Sequence, residues 1–219
     1  MKANLPTLIL ITGMPGVGKS TTAVRLVALL NYAVVVGTDE IRECVRLYDK
    51  SEALKGTSHD RWQMFGPLNS FTFNQGYLAQ SRTLQPAVMA VIKRNLSQGE
   101  SLIVEGVHLI PSLYQQLPEA LVCHCLLYLS DSHSHQRNLA SKAKRRLGNK
   151  PMPVEQYAEH VARVQDYLLS EAKQYQLLTI ESGSSDQNAL QIINQLKLEE
   201  GNRYVSNYSR QNCALQPLC

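Results

Sequence analysis

The sequence predicts an α/β fold, a three-layer sandwich around a five-stranded parallel sheet, and two observations carry that prediction. Short apolar runs alternate with longer helical patterns along 219 residues, the signature of a mostly parallel sheet covered on both faces. The first apolar run, TLILIT, leads into GMPGVGKS at residues 13–20 and then into a helical pattern. That is the phosphate-loop form G-x-x-x-x-G-K-S/T in its strand–loop–helix context, which makes the sandwich a P-loop NTPase fold.

The strand-like runs fall at 8–12, 33–37, 101–105, 121–129 and 177–180. They are nearly continuous in apolar residues, as strands buried on two faces should be. Helical patterns lie between them at 19–30, 40–48, about 71–97, 132–147 and 154–174, and another closes the body at 186–198. Three stretches break the rhythm. Residues 51–70 are polar and turn-rich and contain the only tryptophan, Trp62. Residues 132–154 hold Arg137, Lys142, Lys144, Arg145, Arg146 and Lys150 and no acid. From Gly201 onward periodicity is lost, and a flexible or loosely docked end is expected. The expected organisation is a single domain over 1–200, with a lid at about 132–152, and a tail at 201–219.

Composition excludes several classes. With 44% hydrophobic and 18% charged residues the chain reads as an ordinary globular protein. Its net charge of +4 suits an anionic small molecule as well as any polymer, so nucleic acid is not indicated. The five cysteines, Cys44, Cys123, Cys125, Cys213 and Cys219, form no disulfide or zinc framework. Cys123 and Cys125 alternate within a strand-like run, so both face one side and His124 the other, which disfavours a shared metal. A reducing, cytoplasmic setting is expected. Residues 1–6 are too short for a signal peptide, and no apolar run is long enough to cross a membrane.

The phosphate loop has a physical reason at each position. Gly13 and Gly18 permit the turn and the close approach, while Pro15, Gly16 and Val17 complete the curl of backbone N–H groups around phosphate. Lys19 reaches the terminal phosphates, Ser20 coordinates Mg²⁺, and Thr21 follows on a helix whose positive end faces the anion.

In an open α/β sheet, ligands bind beyond the carboxyl ends of the strands, so strand ends two and three should converge on this loop. The second ends in GTDEIR and the third in VEGVH. Asp39 and Arg42 are three residues apart and share a helix face. A carboxylate there can accept the proton of a substrate hydroxyl, and the guanidinium can hold a substrate anion. Glu105, an acid ending an apolar strand, occupies the water-and-Mg²⁺ position. His108 either contacts substrate phosphate or packs. The basic stretch is either a solvated face or a lid whose arginine closes over the phosphates. The absence of acids favours the lid, with Arg137, Arg145 and Arg146 all candidates.

With GTDEIR, VEGVHL and ARVQDYL in hand, the chain resembles the 2-phosphoglycerate kinase family. Members carry a loop of the form G-x-S/P-G-V-G-K-S, then T-D-x-I-R, matched by Thr38, Asp39, Ile41 and Arg42. An I-E-G-V-H-L segment corresponds to VEGVHLIP at 104–111, and an arginine ahead of Q-D/E-Y-L is matched by Arg163. The resemblance covers most of residues 7–180. It implies a nucleoside-monophosphate-kinase-like architecture with an arginine lid, ATP and Mg²⁺ as cofactors, and a small phosphorylated acid as acceptor. The implied reaction is transfer of the γ-phosphoryl group to the 3-hydroxyl of 2-phosphoglycerate. It also implies Lys19 as phosphate ligand, Asp39 as base and Arg163 near the lid hinge. The chain departs from the family pattern at Cys44 and Val45, where a methionine is usual. Archaeal members often carry an N-terminal nucleotide-binding module, and none is expected here. Two other readings stand beside this one. Asp-x-x-Arg after strand two also looks like 5′-hydroxyl polynucleotide kinases and kinases of nucleotide sugars. An ATP-binding regulatory module that signals to a partner is the reading outside metabolism.

Overall fold

The computed structural model describes residues 5–30, 34–56, 58, 63–67, 69–145 and 154–213; side chains at 70, 142–145, 154–158 and 202–213 are outside that description. Trp62, the start of the expected second strand at 33, Arg146, Lys150 and residues 214–219 therefore lie outside the described residues.

β1 (Thr7–Gly13) is buried along its whole length. It is the middle strand of a five-stranded sheet in the order β2-β3-β1-β4-β5, where β2 is Val34–Gly37, β3 Leu102–Gly106, β4 Leu121–Tyr128 and β5 Leu178–Glu181. Each pairing is parallel. The expected fold class is thus the observed one. Alternate β1 residues enter different cores, as a strand covered on both faces must. Ile9 and Ile11 pack with Ala23 and Leu26 of α1 (Lys19–Leu30) and with Ala189 and Ile192 of α6 (Ser185–Cys213). Leu8 and Leu10 pack with Val88 and Ile92 of α3 (Ser70–Ser97).

α2 (Thr38–Tyr48) follows β2 without a break. α4 (Ser132–Arg145) and α5 (Val154–Gln174) form the excursion between β4 and β5. α3 starts at a capping box: the Asn69 side chain accepts from Thr72 N at 2.9 Å, and Asn69 N donates to Thr72 Oγ1 at 3.0 Å. Such reciprocal capping satisfies two N–H groups that the first turn would otherwise leave unbonded. α6 runs on to Cys213 rather than stopping at 198. The stretch from Gly201 lacks apolar periodicity, but no proline precedes Pro217 to stop a helix. Cys123 and Cys125 are buried on one side of β4, as the alternation predicted. Among the described residues no helix is long and apolar enough to cross a membrane, and no metal-holding cluster of His, Cys, Asp or Glu occurs.

Candidate active site

The phosphate loop leaves β1 at Gly13, whose φ is +149°. A Cβ there would stand 2.4 Å from the Leu127 carbonyl oxygen of β4, so the loop can pass this close to the sheet only as glycine. Gly16 and Gly18, at φ +88° and +90°, make the remaining turns. Three successive carbonyls of the loop are held from outside. His135 Nε2 donates to Pro15 O at 2.8 Å, Asn138 Nδ2 to Gly16 O at 2.9 Å, and Ser182 Oγ to Val17 O at 2.6 Å. In a planar trans peptide the N–H points opposite to the C=O. Pinning Pro15 O and Val17 O outward therefore turns the N–H groups of Gly16 and Gly18 inward, where an anion would sit. Asn188 supports the collar by donating to Ser182 Oγ at 3.0 Å and to Thr22 Oγ1 at 3.2 Å. Lys19 Nζ, largely buried, donates to Met14 O at 3.0 Å across the loop.

Sequence reasoning found the loop but missed its collar. His135, Asn138 and Ser182 belong to segments more than a hundred residues away, and no local spacing marks them. Burial depresses the pKa of His135, an effect that the hydrogen bond to Pro15 opposes and the Lys19 charge reinforces.

Ser20 Oγ donates to Glu105 Oε1 at 2.6 Å, so the residues expected at the cation are in contact. The register explains it: Glu105, near the end of β3, lies between Ile11 of β1 and Gly37 of β2. A hydroxyl and a carboxylate oxygen at the mouth of a phosphate loop are the hard donors that Mg²⁺ prefers, so these residues fit the ion. The same register sets Thr38, the first residue of α2, one step beyond Glu105, with Asp39 next along the helix.

On α2, Arg42 Nη1 lies 3.4 Å from Asp39 Oδ1. The guanidinium is only 13% exposed, and its Nε and Nη2 both donate to Glu43 Oε1, at 3.2 and 3.0 Å. Arg46 Nη1 reaches both Glu43 oxygens at 3.0–3.1 Å. Slight burial pushes the Glu43 carboxyl up, but hydrogen bonds and charge from the two arginines outweigh it, and the net shift is downward. The Asp39–Arg42 pairing was legible at i,i+3; the competing role of Glu43 was not.

His108 is the clearest departure from the expectation of substrate contact. It is fully buried, with Nδ1 2.9 Å from Thr38 Oγ1 and Nε2 2.8 Å from Ser58 Oγ and 3.1 Å from Gln80 Oε1. A ring engaged at both nitrogens and closed to solvent does not itself meet a ligand. Burial pushes its pKa down to about 4; the Asp39 carboxylate acts upward and the charges of Arg42 and Lys19 downward. A second Thr–His pair, partly buried, stands behind the phosphate loop. Thr12 Oγ1 donates to Leu109 O at 2.7 Å, so it must accept from His124 Nε2 at 2.8 Å. Burial likewise holds His124 near 4, against the pull of Leu109.

The basic excursion differs from a lid that is free from its first residue. The first turns of α4 are docked on the phosphate loop by His135, Asn138 and buried Leu139. Arg137 points away from that contact: it is 74% exposed, donates to Ser134 Oγ at 2.7 Å and lies 3.9 Å from Asp131. The side chains of Lys142, Lys144 and Arg145 lie outside the described residues. Arg163 pairs with Glu159 at 2.9 Å on α5, and its buried Nε has no hydrogen-bond partner. A cleft of about 1130 Å³ between α3 and residues 112–119 contains none of these groups.

Residues 9–150 match the AAA domain family. The chain belongs to that family. The chain is 28% identical over 200 residues to a 2-phosphoglycerate kinase of Pyrococcus horikoshii, an alignment covering 88% of this chain and 64% of that protein. It is 27% identical over 145 residues to a mevalonate-3-phosphate 5-kinase of Thermoplasma acidophilum, covering 66% of this chain and 72% of that one. The chain therefore spans less than two thirds of the length of the first relative. The resemblance to 2-phosphoglycerate kinases seen in the motifs extends over most of the sequence. A gluconokinase from Sinorhizobium meliloti superposes with TM-score 0.55 at 13% identity, over 93% of this chain and 98% of that one, which shows the fold.

Proposed function

We propose that the chain is an ATP-dependent kinase that transfers the γ-phosphoryl group to a hydroxyl of a small phosphorylated acid, with 2-phosphoglycerate as the acceptor of choice and 2,3-bisphosphoglycerate as product. The observation that carries this reading is the contact of Ser20 with Glu105 one register step from Thr38, which Asp39 follows. It supports a candidate cation-holding pair and a candidate base at one end of the sheet. The names of the relatives support a phosphorylated acceptor, since both the phosphoglycerate and the mevalonate-phosphate enzymes are named for one.

In this reading the loop amides and Lys19 bind the triphosphate. Ser20 and Glu105 would hold Mg²⁺, and the ion would supply charge neutralisation at the phosphate oxygens. Asp39 orients the acceptor hydroxyl and takes its proton as the new P–O bond forms and the γ-phosphorus separates from the β–γ bridging oxygen, which leaves on ADP. Arg42 holds the acceptor's anionic group, and Arg145 or a neighbour on the α4–α5 excursion shields the transferring phosphoryl group from water.

The test is Asp39→Asn in a coupled assay with ATP and 2-phosphoglycerate. Nucleotide affinity should hold while turnover falls roughly 10²- to 10⁴-fold, the usual worth of a positioned base. Unchanged turnover would remove Asp39 from the mechanism. A wild-type protein that turns over no phosphorylated acid would move the chain to the regulatory-module reading.

A further inference from the structure

His108 and its partners form a buried network whose direction is fixed by one carbonyl. Gln80 Nε2 donates to Ala53 O at 2.8 Å. The opposite amide orientation would set two acceptors against each other, so Gln80 Oε1 must be the atom that faces His108 Nε2 at 3.1 Å. An amide oxygen only accepts, and the proton therefore sits on Nε2, shared with Ser58 Oγ at 2.8 Å. Nδ1 is then a bare lone pair, and Thr38 Oγ1, 2.9 Å away, must donate to it. His108, Thr38, Ser58 and Gln80 are all buried, so no water competes for these bonds.

The network joins the start of α2 to the stretch that follows it. Thr38 opens α2 and is followed directly by Asp39. Ser58 and Ala53 belong to the polar stretch after α2, where Ala53 and Leu54 are themselves buried. Sterics confirm how tightly Thr38 is seated: a Cβ on Gly106 would lie 1.8 Å from its Oγ1. The glycine of the EGVH segment is therefore needed for Thr38 to press against the end of β3.

We propose that His108 is a positioning residue, a neutral Nε2–H imidazole whose directed bonds to Thr38, Ser58 and Gln80 lock the start of α2, and with it Asp39, to Ser58 and, through Gln80, to Ala53. This rests on the kinase reading with Asp39 as base. Its consequence is that Asp39 stays aimed only while Ala53 and Ser58 are docked. A displacement of a reacting group by about an ångström costs up to ~100-fold in rate, so a small slip of α2 is enough to matter.

Two measurements test it. Nitrogen NMR of the histidine-labelled protein reads the tautomer without any assay of activity. A neutral His108 ring protonated at Nε2 at pH 7.5 supports the inference, and a ring protonated at Nδ1 or at both nitrogens overturns it whether or not the chain is a kinase. In kinetics, Thr38→Val and His108→Gln each remove the Thr38–Nδ1 bond, whereas Thr38→Ser keeps the donor. Both should lower kcat about tenfold or more with KM for ATP within twofold, Thr38→Ser should retain wild-type turnover, and the double variant should be no worse than either single one. Multiplying losses, an unaffected kcat in Thr38→Val, or a KM for ATP that rises in step would each overturn the positioning role. A wild-type protein inactive on every acceptor would defeat the kinase reading alone and leave the hydrogen-bond direction to be judged by the tautomer.

Discussion

The phosphate loop and the residues of α2, the nucleotide half and the acceptor half of the proposed site, are built on different principles. The nucleotide half is backbone, three glycines with positive φ and three carbonyls pinned by His135, Asn138 and Ser182. Its geometry is set before any ligand arrives. The acceptor half is side chain: Asp39, Arg42, Glu43 and Arg46 share one helix and satisfy one another. A triphosphate is the same in every such enzyme, so a rigid cradle suits it. An acceptor must be recognised and its hydroxyl aimed, which leaves charged groups whose pairings can be exchanged. Beneath both halves lies a Thr–His pair, half-buried His124 with Thr12 behind the loop and fully buried His108 with Thr38 under α2.

The largest effect is one the halves share, acid sensitivity. Both rings fall from an ordinary 6.5 to about 4, chiefly by burial. Above pH 6.5 folded and unfolded chains are alike neutral at these rings and the stability is intact. Between pH 6.5 and 4 only the unfolded chain takes up the protons, so stability falls as the pH falls, and below 4 the loss is complete. At 1.36 kcal/mol per unit the loss is roughly 3 kcal/mol for each ring. Urea unfolding at pH 7.5 and 5.0 should show it, and His124→Gln and His108→Gln should each remove part of the difference. Equal stability at the two pH values would mean that the rings are not buried neutral.

A smaller effect isolates the cradle. Asn138→Ala removes the donor to Gly16 O, a bond worth about 1 kcal/mol. KM for ATP should rise about fivefold while KM for the acceptor stays level, as steady-state kinetics with each substrate varied would show. A matched rise in both would mean that α4 supports the whole site rather than the phosphate loop.

What the sequence disclosed follows the same division. GMPGVGKS, GTDEIR and VEGVH stand at consecutive strand ends, and the parallel order brings strand ends together, so the contact of Ser20 with Glu105 was within reach of spacing alone. The collar was not, because His135 and Ser182 meet the loop only through α4 and the turn after β5. His108 was left between substrate contact and packing for a related reason. A histidine beyond a strand end reads as a ligand, and only the fold reveals that Thr38, Ser58 and Gln80 enclose it. Arg137 shared in the acid-free run that suggested a lid, yet Asp131, one residue before that run, draws it away from the loop.

The smallest effect bears on how exchangeable the acceptor half is. Arg42 offers Nε and Nη2 to Glu43, the two donors of the guanidinium edge that would grip a carboxylate or phosphate. An acceptor anion must therefore take that edge from Glu43. Because Glu43 is 57% exposed, the contest is between a screened surface pair and a ligand held by several groups, and such pairs contribute about 0.2–1 kcal/mol. Glu43→Gln, which keeps an acceptor oxygen but not the charge, should lower KM for the acceptor by about two- to fourfold, with kcat and KM for ATP unchanged. A higher acceptor KM would show that Glu43 aims Arg42 rather than competes for it. The acceptor half would then be preset by its own charges, as the nucleotide half is by its backbone.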